Sequence, residues 1–193
     1  MGYPASICAS INEVVIHGIP SSKQILKDGD IISIDIGANY KGYHGDCART
    51  WPCGNVKSDR LKLIEVTEQS FFEGLKYAHP GNRLSDISHA IEMYAKKFNY
   101  GVVRDFTGHG VGSKLHEDPA VPNYGKEGMG PVLRKGMTLA IEPMINMGTY
   151  KVKILADGWT TITSDHSPSA HYENSIVITD NGYEILTKIK END

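Results

Sequence analysis

Apolar and polar positions alternate most clearly over residues 30–36, where Ile32, Ile34 and Ile36 fall on one side and Ile31, Ser33 and Asp35 on the other. Alternation of period two predicts a strand with one polar face. Residues 43–51 read as the returning arm of a hairpin, with a turn expected at 37–42. Residues 5–19 read as strand through the β-branched run Val14-Val15-Ile16, stopped by Gly18-Ile19-Pro20. The pattern then changes to helical spacing. Leu61, Ile64, Phe71, Leu75 and Ala78 form one stripe, with Ser58 as the expected cap and Pro80-Gly81 as the stop. Ile87, Ala90, Ile91, Tyr94 and Phe98 form a second, with Gly101 as its expected end. Strand patterns resume at 102–107 and 137–146. A hairpin is expected at 150–163 around Asp157-Gly158, and a last long strand at 171–179.

Two strand patterns repeat. Residues 26–35, LKDGDIISID, lie over residues 133–142, LRKGMTLAIE, with the leucine, glycine, last isoleucine and terminal acid at one constant offset. A second echo follows each: His44-Gly45-Asp46 and His171-Tyr172-Glu173. The repeat implies a pseudo-twofold pair of halves, about 1–57 and 58–193, in one catalytic domain of 193 residues. With helices at 58–100 before the second copy and none before the first, helical cover is expected on only one half. The outer face of the first half is then expected to be exposed and apolar.

Composition narrows the class. Hydrophobic residues make up 40% and charged residues 22%, within the range of soluble globular chains. A net charge of −3 argues against nucleic-acid readout. No apolar run reaches membrane-spanning length. Met1-Gly2-Tyr3-Pro4 lacks the features of a secretory leader, and Cys8, Cys47 and Cys53 form no CxxC pair, so a cytoplasmic location is expected.

The repeat changes the meaning of its acids. A single aspartate on a strand is usually solvated, but Asp35 and Glu142 occupy equivalent places, with Asp46 and Glu173 behind them. Carboxylates gathered across a pseudo-twofold axis repel unless protons or cations lie between them. Divalent cations stabilise such a cluster best. His109 stands alone among three glycines in Gly108-His109-Gly110-Val111-Gly112, which lacks the spacing of a nucleotide loop. One imidazole among several carboxylate oxygens suits Mn(II), Fe(II) or Co(II), and Zn(II) less specifically. His17 and His116 share the form His-x-x-Pro, and as neutral donors they would polarise a substrate carbonyl. His44 and His171 each share a strand face with an acid two residues on.

These motifs, with Asn12 to Pro20, His116-Glu117-Asp118-Pro119 and Ile141-Glu142-Pro143, resemble type I methionine aminopeptidase of the pita-bread metallopeptidase fold. The resemblance spans nearly the whole chain. It implies an α+β architecture, a pseudo-twofold duplicated antiparallel sheet covered by helices on one face, and an N-terminus shorter than the family's. It implies two divalent metal ions held by Asp35, Asp46, His109, Glu142 and Glu173, with Asp46 and Glu173 bridging. His116 would contact the scissile carbonyl, His17 would assist beside it, and Glu142 would move a proton. Tyr3, Cys8, Leu115 and Trp159 would join His17 and His116 in contacting substrate, Leu115 standing where the family more often has an aromatic residue. The implied substrate is the N-terminal methionine of a peptide or nascent protein, which implies work near the ribosome. A monomer is expected unless a partner chain supplies the missing cover. Two alternatives stay open: a folded pita-bread module of little or no activity, and a proline-directed aminopeptidase of the same fold.

Overall fold

The computed structural model describes residues 2–188. The expected domain span of 1–193 therefore includes Met1 and residues 189–193, which lie outside the described residues. The strands are β1 (Cys8–Ile11), β2 (Val14–Ile16), β3 (Ile31–Tyr40), β4 (Tyr43–Pro52), β5 (Gly101–Val102), β6 (Gly108–Gly110), β7 (Glu117–Val121), β8 (Thr138–Ile141), β9 (Met144–Asn146), β10 (Val152–Ile154), β11 (Thr161–Thr163), β12 (Ser169–His171), β13 (Glu173–Ile178) and β14 (Tyr183–Ile185). Helices α1 (Ser58–Leu75) and α2 (Leu84–Lys96) lie between β4 and β5.

The main sheet runs β1-β3-β4-β13-β8-β6-β7, with β14 on β13. Its neighbours pair antiparallel. The order is symmetric about the β4–β13 junction: β3 matches β8 and β1 matches β6. This is the pseudo-twofold α+β arrangement that the repeat implies. Smaller sheets, β10-β11-β2 and β12-β9-β5, flank it.

The helices cover the second half. Phe71, Leu75, Ile87 and Ile91 pack with Leu139, Ile141, Ile176 and Ile178, all buried. Each such side chain contributes about 1.5–3 kcal/mol when fully buried. On the first half, Ile36 and Trp51 remain 43% and 52% exposed on the outer face of β3 and β4. Ile25, in the segment between β2 and β3, is 72% exposed.

Several boundaries differ from the sequence reading. The 5–19 strand is two strands, because the chain turns at Asn12, whose φ is +52°. The expected turn at 37–42 is shorter. β3 continues to Tyr40, and Lys41 and Gly42 alone make the turn, both at positive φ, as a two-residue hairpin loop requires. Ser58 does not cap α1; Lys57 holds the cap position without a side-chain bond. The left-handed residue after α2 is Asn99, at φ +60°, rather than Gly101, which already belongs to β5. The 102–107 stretch is strand only at Val102.

Two further differences shape the site. The 137–146 strand breaks at Glu142-Pro143, and the 171–179 strand breaks at Tyr172. The breaks face each other, since Ile141 pairs with Asn174 and Met144 with His171. Tyr172 N–H donates to the Pro143 carbonyl at 3.2 Å between them. Both chains leave the main sheet for the β12-β9-β5 sheet at this level.

Candidate metal centre

Strand register explains how the acids converge. Asp35 and Glu173 both lie opposite Ala48, from the two sides of β4. Opposed residues in antiparallel strands share a face, so a methyl group separates two carboxylates. Asp46, two residues before Ala48, projects on the same face and lies opposite Gly37. His109 lies opposite Ala140, two residues before Glu142. Gly108 and Gly110, flanking His109, pack so closely on Ala140 and Asp118 that a Cβ at either would collide with backbone.

One donor atom each from Asp46, His109 and Glu173 lie within 4.8 Å of one another. His109 Nε2 is 3.8 Å from Asp46 Oδ2 and 3.6 Å from Glu142 Oε1. Asp35 projects on the same strand face as Asp46, and both line one cavity. Asp46, His109 and Glu173 thus form one group of donors, with Glu142 against His109 and Asp35 beside Asp46 on its strand face. Asp46 Oδ1 and Glu173 Oε1 are buried and have no hydrogen-bond partner among the described residues. Buried carboxylate oxygens without partners are costly, and a divalent cation relieves that cost. The oxygen-rich donor set with one imidazole fits divalent ions.

Electrostatics agree. Burial, reinforced by the Asp46 charge, pushes Asp35 up to about 6, although His171 opposes the shift. Burial, then the Glu142 charge, pushes Asp46 up to about 6. Glu142 and Glu173 are raised further, by burial first and then by the neighbouring acids. Burial holds His17, His109, His116 and His171 below the usual histidine range, so each is neutral near pH 7. His109 Nδ1 lies 2.9 Å from the Gly110 carbonyl, which can only accept. Nδ1 therefore carries the proton, and Nε2 presents its lone pair to the acids.

A cavity of about 450 Å³ opens over Asp35 and Asp46. Tyr3, Cys8, His17, Leu115, His116 and Trp159, all of the expected substrate contacts, line it. Tyr3 donates to the Gly18 carbonyl at 2.8 Å and meets Trp159 edge-on at 5.3 Å. His17, at φ +57°, turns its ring toward Phe106 and Trp159. The rings of His116 and His109 lie 4.2 Å apart. Burial and the Asp35 charge push the Cys8 thiol up to about 12, so it is an uncharged wall group.

Several residues that position this site escaped the sequence reading. Thr50 bridges the His171 backbone in β12, and Arg49 holds the strand carrying Glu173: it donates to the Glu173 carbonyl and to Asn174 Oδ1, with its guanidinium 4.0 Å over the Tyr172 ring. Asn123 donates to the Glu142 carbonyl at 2.9 Å. Ser175 bridges the Asp46 backbone. The period-two series Asp46, Ala48, Thr50 is the signal that could have found Thr50. His44 lies apart from the acids; its backbone N–H and ring hold the Gly112 carbonyl. Among the described residues no helix is long and apolar enough to cross a membrane.

The sequence matches metallopeptidase family M24 over residues 1–180. A methionine aminopeptidase of Clostridium acetobutylicum is 59% identical over 186 residues, covering 96% of this chain and 74% of the relative. Methionine aminopeptidase 1 of Bacillus subtilis is 56% identical over 188 residues, covering 97% and 75%. The crystal structure of methionine aminopeptidase from Thermotoga maritima superposes with a TM-score of 0.95 at 47% identity, covering 98% of this chain and 77% of that one. The prolidase from Pyrococcus furiosus gives 0.76 at 25% identity, covering 97% and 50%.

Proposed function

From the premise that the chain belongs to metallopeptidase family M24, among its methionine aminopeptidases, we propose that it removes N-terminal methionine from peptides and nascent proteins at a dinuclear centre. The observation that carries this reading is the convergence of Asp46, His109 and Glu173 donors beside a cavity that Asp46 itself lines together with Tyr3, Leu115 and Trp159. Asp35, Asp46, His109, Glu142 and Glu173 would hold two divalent ions, Mn(II), Fe(II), Co(II) or Zn(II), with Asp46 and Glu173 shared. Bound there, the ions supply an acidified water and polarise the scissile carbonyl.

The chain's own groups do the rest. Tyr3, Cys8, Leu115 and Trp159 enclose the methionine side chain, which sets the reacting bond against the acids. His116 and His17, both neutral, donate N–H to the carbonyl oxygen as it gains charge. Glu142 accepts a proton at a carboxylate oxygen during attack and returns it to the leaving nitrogen. Nascent chains are the cellular source of such N-termini, which places the work in the cytoplasm near the ribosome. We expect a monomer.

The test is peptide turnover with Mn(II) or Co(II). Release of methionine from Met-Ala-Ser, with no cleavage of Xaa-Pro peptides, is expected. Preference for Xaa-Pro would contradict the proposal, and tight metal binding without turnover would favour an inactive module.

A further inference from the structure

Glu142 is bracketed by two histidines, one on each carboxylate oxygen. Oε1 lies 3.6 Å from His109 Nε2, and Oε2 lies 3.5 Å from His171 Nε2. The two imidazoles differ in what they can offer. His109 commits its Nδ1 proton to the Gly110 carbonyl, so its Nε2 is a lone pair. His171 is 2% exposed, and its Nε2 is buried with no hydrogen-bond partner among the described residues. Its backbone is fixed at both ends by the Thr50 hydroxyl, and its strand is paired with β9 through Met144. The backbone that carries the ring is therefore held in place, and the ring is buried beside Glu142. A buried ring nitrogen left without a partner is costly, and leucine would fill the same volume without that cost.

We infer that His171 is a positioning residue for Glu142: its Nε2–H donates to Oε2, leaving Oε1 as the oxygen that faces His109 and the metal. This rests on the reading of Glu142 as a ligand. At 3.5 Å the pair is longer than a closed hydrogen bond, and the inference is that it closes when Glu142 takes up its ion. Donation to one oxygen fixes the carboxylate plane and favours one-oxygen ligation, as partners behind metal ligands commonly do. A glutamine amide can reach and donate in the same direction, whereas leucine cannot.

The experiment is Mn(II) titration by calorimetry of the wild-type chain and of His171→Leu, His171→Gln and His109→Ala, with thermal melts of each metal-free protein. Loss of such a partner weakens affinity by about 10–100-fold, so His171→Leu should bind the ion lost in His109→Ala that much more weakly. His171→Gln should retain most of the affinity. Leucine binding as wild type does, while His109→Ala loses its ion, overturns this inference alone. Wild-type binding by His109→Ala overturns the site reading itself. Complete loss of the ion in both His171→Leu and His171→Gln, with folded melts, would make His171 a ligand and also overturns it. Should the leucine protein not fold, nitrogen NMR of the wild-type imidazoles with Zn(II) decides. A proton on His171 Nε2 is expected, and a proton on Nδ1 alone contradicts the inference.

Discussion

The hydroxyl of Thr50 holds both backbone groups of His171: it donates to the carbonyl at 2.9 Å and accepts from the amide at 2.8 Å. Ser175 does the same for Asp46 from the opposite strand, at 3.0 and 2.9 Å. Between these two clamps the β4–β13 ladder has only two paired positions, Glu173 with Ala48 and Asn174 with Cys47. The two halves are thus joined beside the acids by hydroxyl bridges as much as by direct strand pairing.

Thr50→Val keeps the shape and removes both bonds to His171 together with the 2.8 Å bond to the Ser33 hydroxyl. Unpaired buried backbone groups cost about 1–3 kcal/mol. At roughly 2–4 °C per kcal/mol for a chain of this size, the melting temperature should fall measurably. Metal affinity should fall with it, and Thr50→Ser should restore both. A valine protein with unchanged melting and titration would show that the bridge does not position the site.

Gly37 lies under the pocket wall. A Cβ there would sit 3.1 Å from Leu115 Cδ1 and 3.6 Å from Asp46 Oδ1. Gly37→Ala should keep the fold, because the strand pairing does not depend on a special φ at this position. It should displace Leu115 into the methionine cavity. A misfit of about one methylene is worth roughly 10–200-fold in kcat/KM. Steady-state kinetics on Met-Ala-Ser should show a higher KM; unchanged kinetics would mean that Leu115 does not limit the pocket.

The acids couple stability to pH. Asp35 and Asp46 titrate near 4 when unfolded and at about 6 in the fold. Between those values the metal-free folded state holds more protons than the unfolded one. Its stability from these groups is therefore greatest below about 4 and falls as pH rises to about 6. Divalent ions need the carboxylates ionised, so their stabilisation grows over the same window. Scanning calorimetry should find a small Mn(II)-induced rise in melting temperature at about pH 5 and a larger one at about pH 7.5. Equal rises at both would contradict the assignment of these acids.

The acids were legible because two simple signals coincide in them: period-two alternation, and a repeat that places Asp35 over Glu142. His17 and His116 share the His-x-x-Pro form, which by itself marks no site; it is the cavity both line that brings them together. The breaks at Glu142-Pro143 and Tyr172 were not legible. Local pattern there continues as strand, and only pairing with the opposite break shows that both chains change sheets. The length of the β3–β4 hairpin was hidden because Gly37 and Ala38 interrupt the alternation although their strand pairing continues. Thr50, Ser175 and Asn123 act through backbone groups distant in sequence, which spacing along one chain does not reveal.

The central claim is that side chains from both halves hold a pair of divalent ions. Anaerobic Mn(II) titration by calorimetry, comparing wild type with Glu173→Ala, tests it most directly. Two ions per wild-type chain are expected, with loss of tight binding at both positions once the shared carboxylate is gone. A wild-type chain that takes up none, or a Glu173→Ala chain that titrates identically to it, would contradict the account.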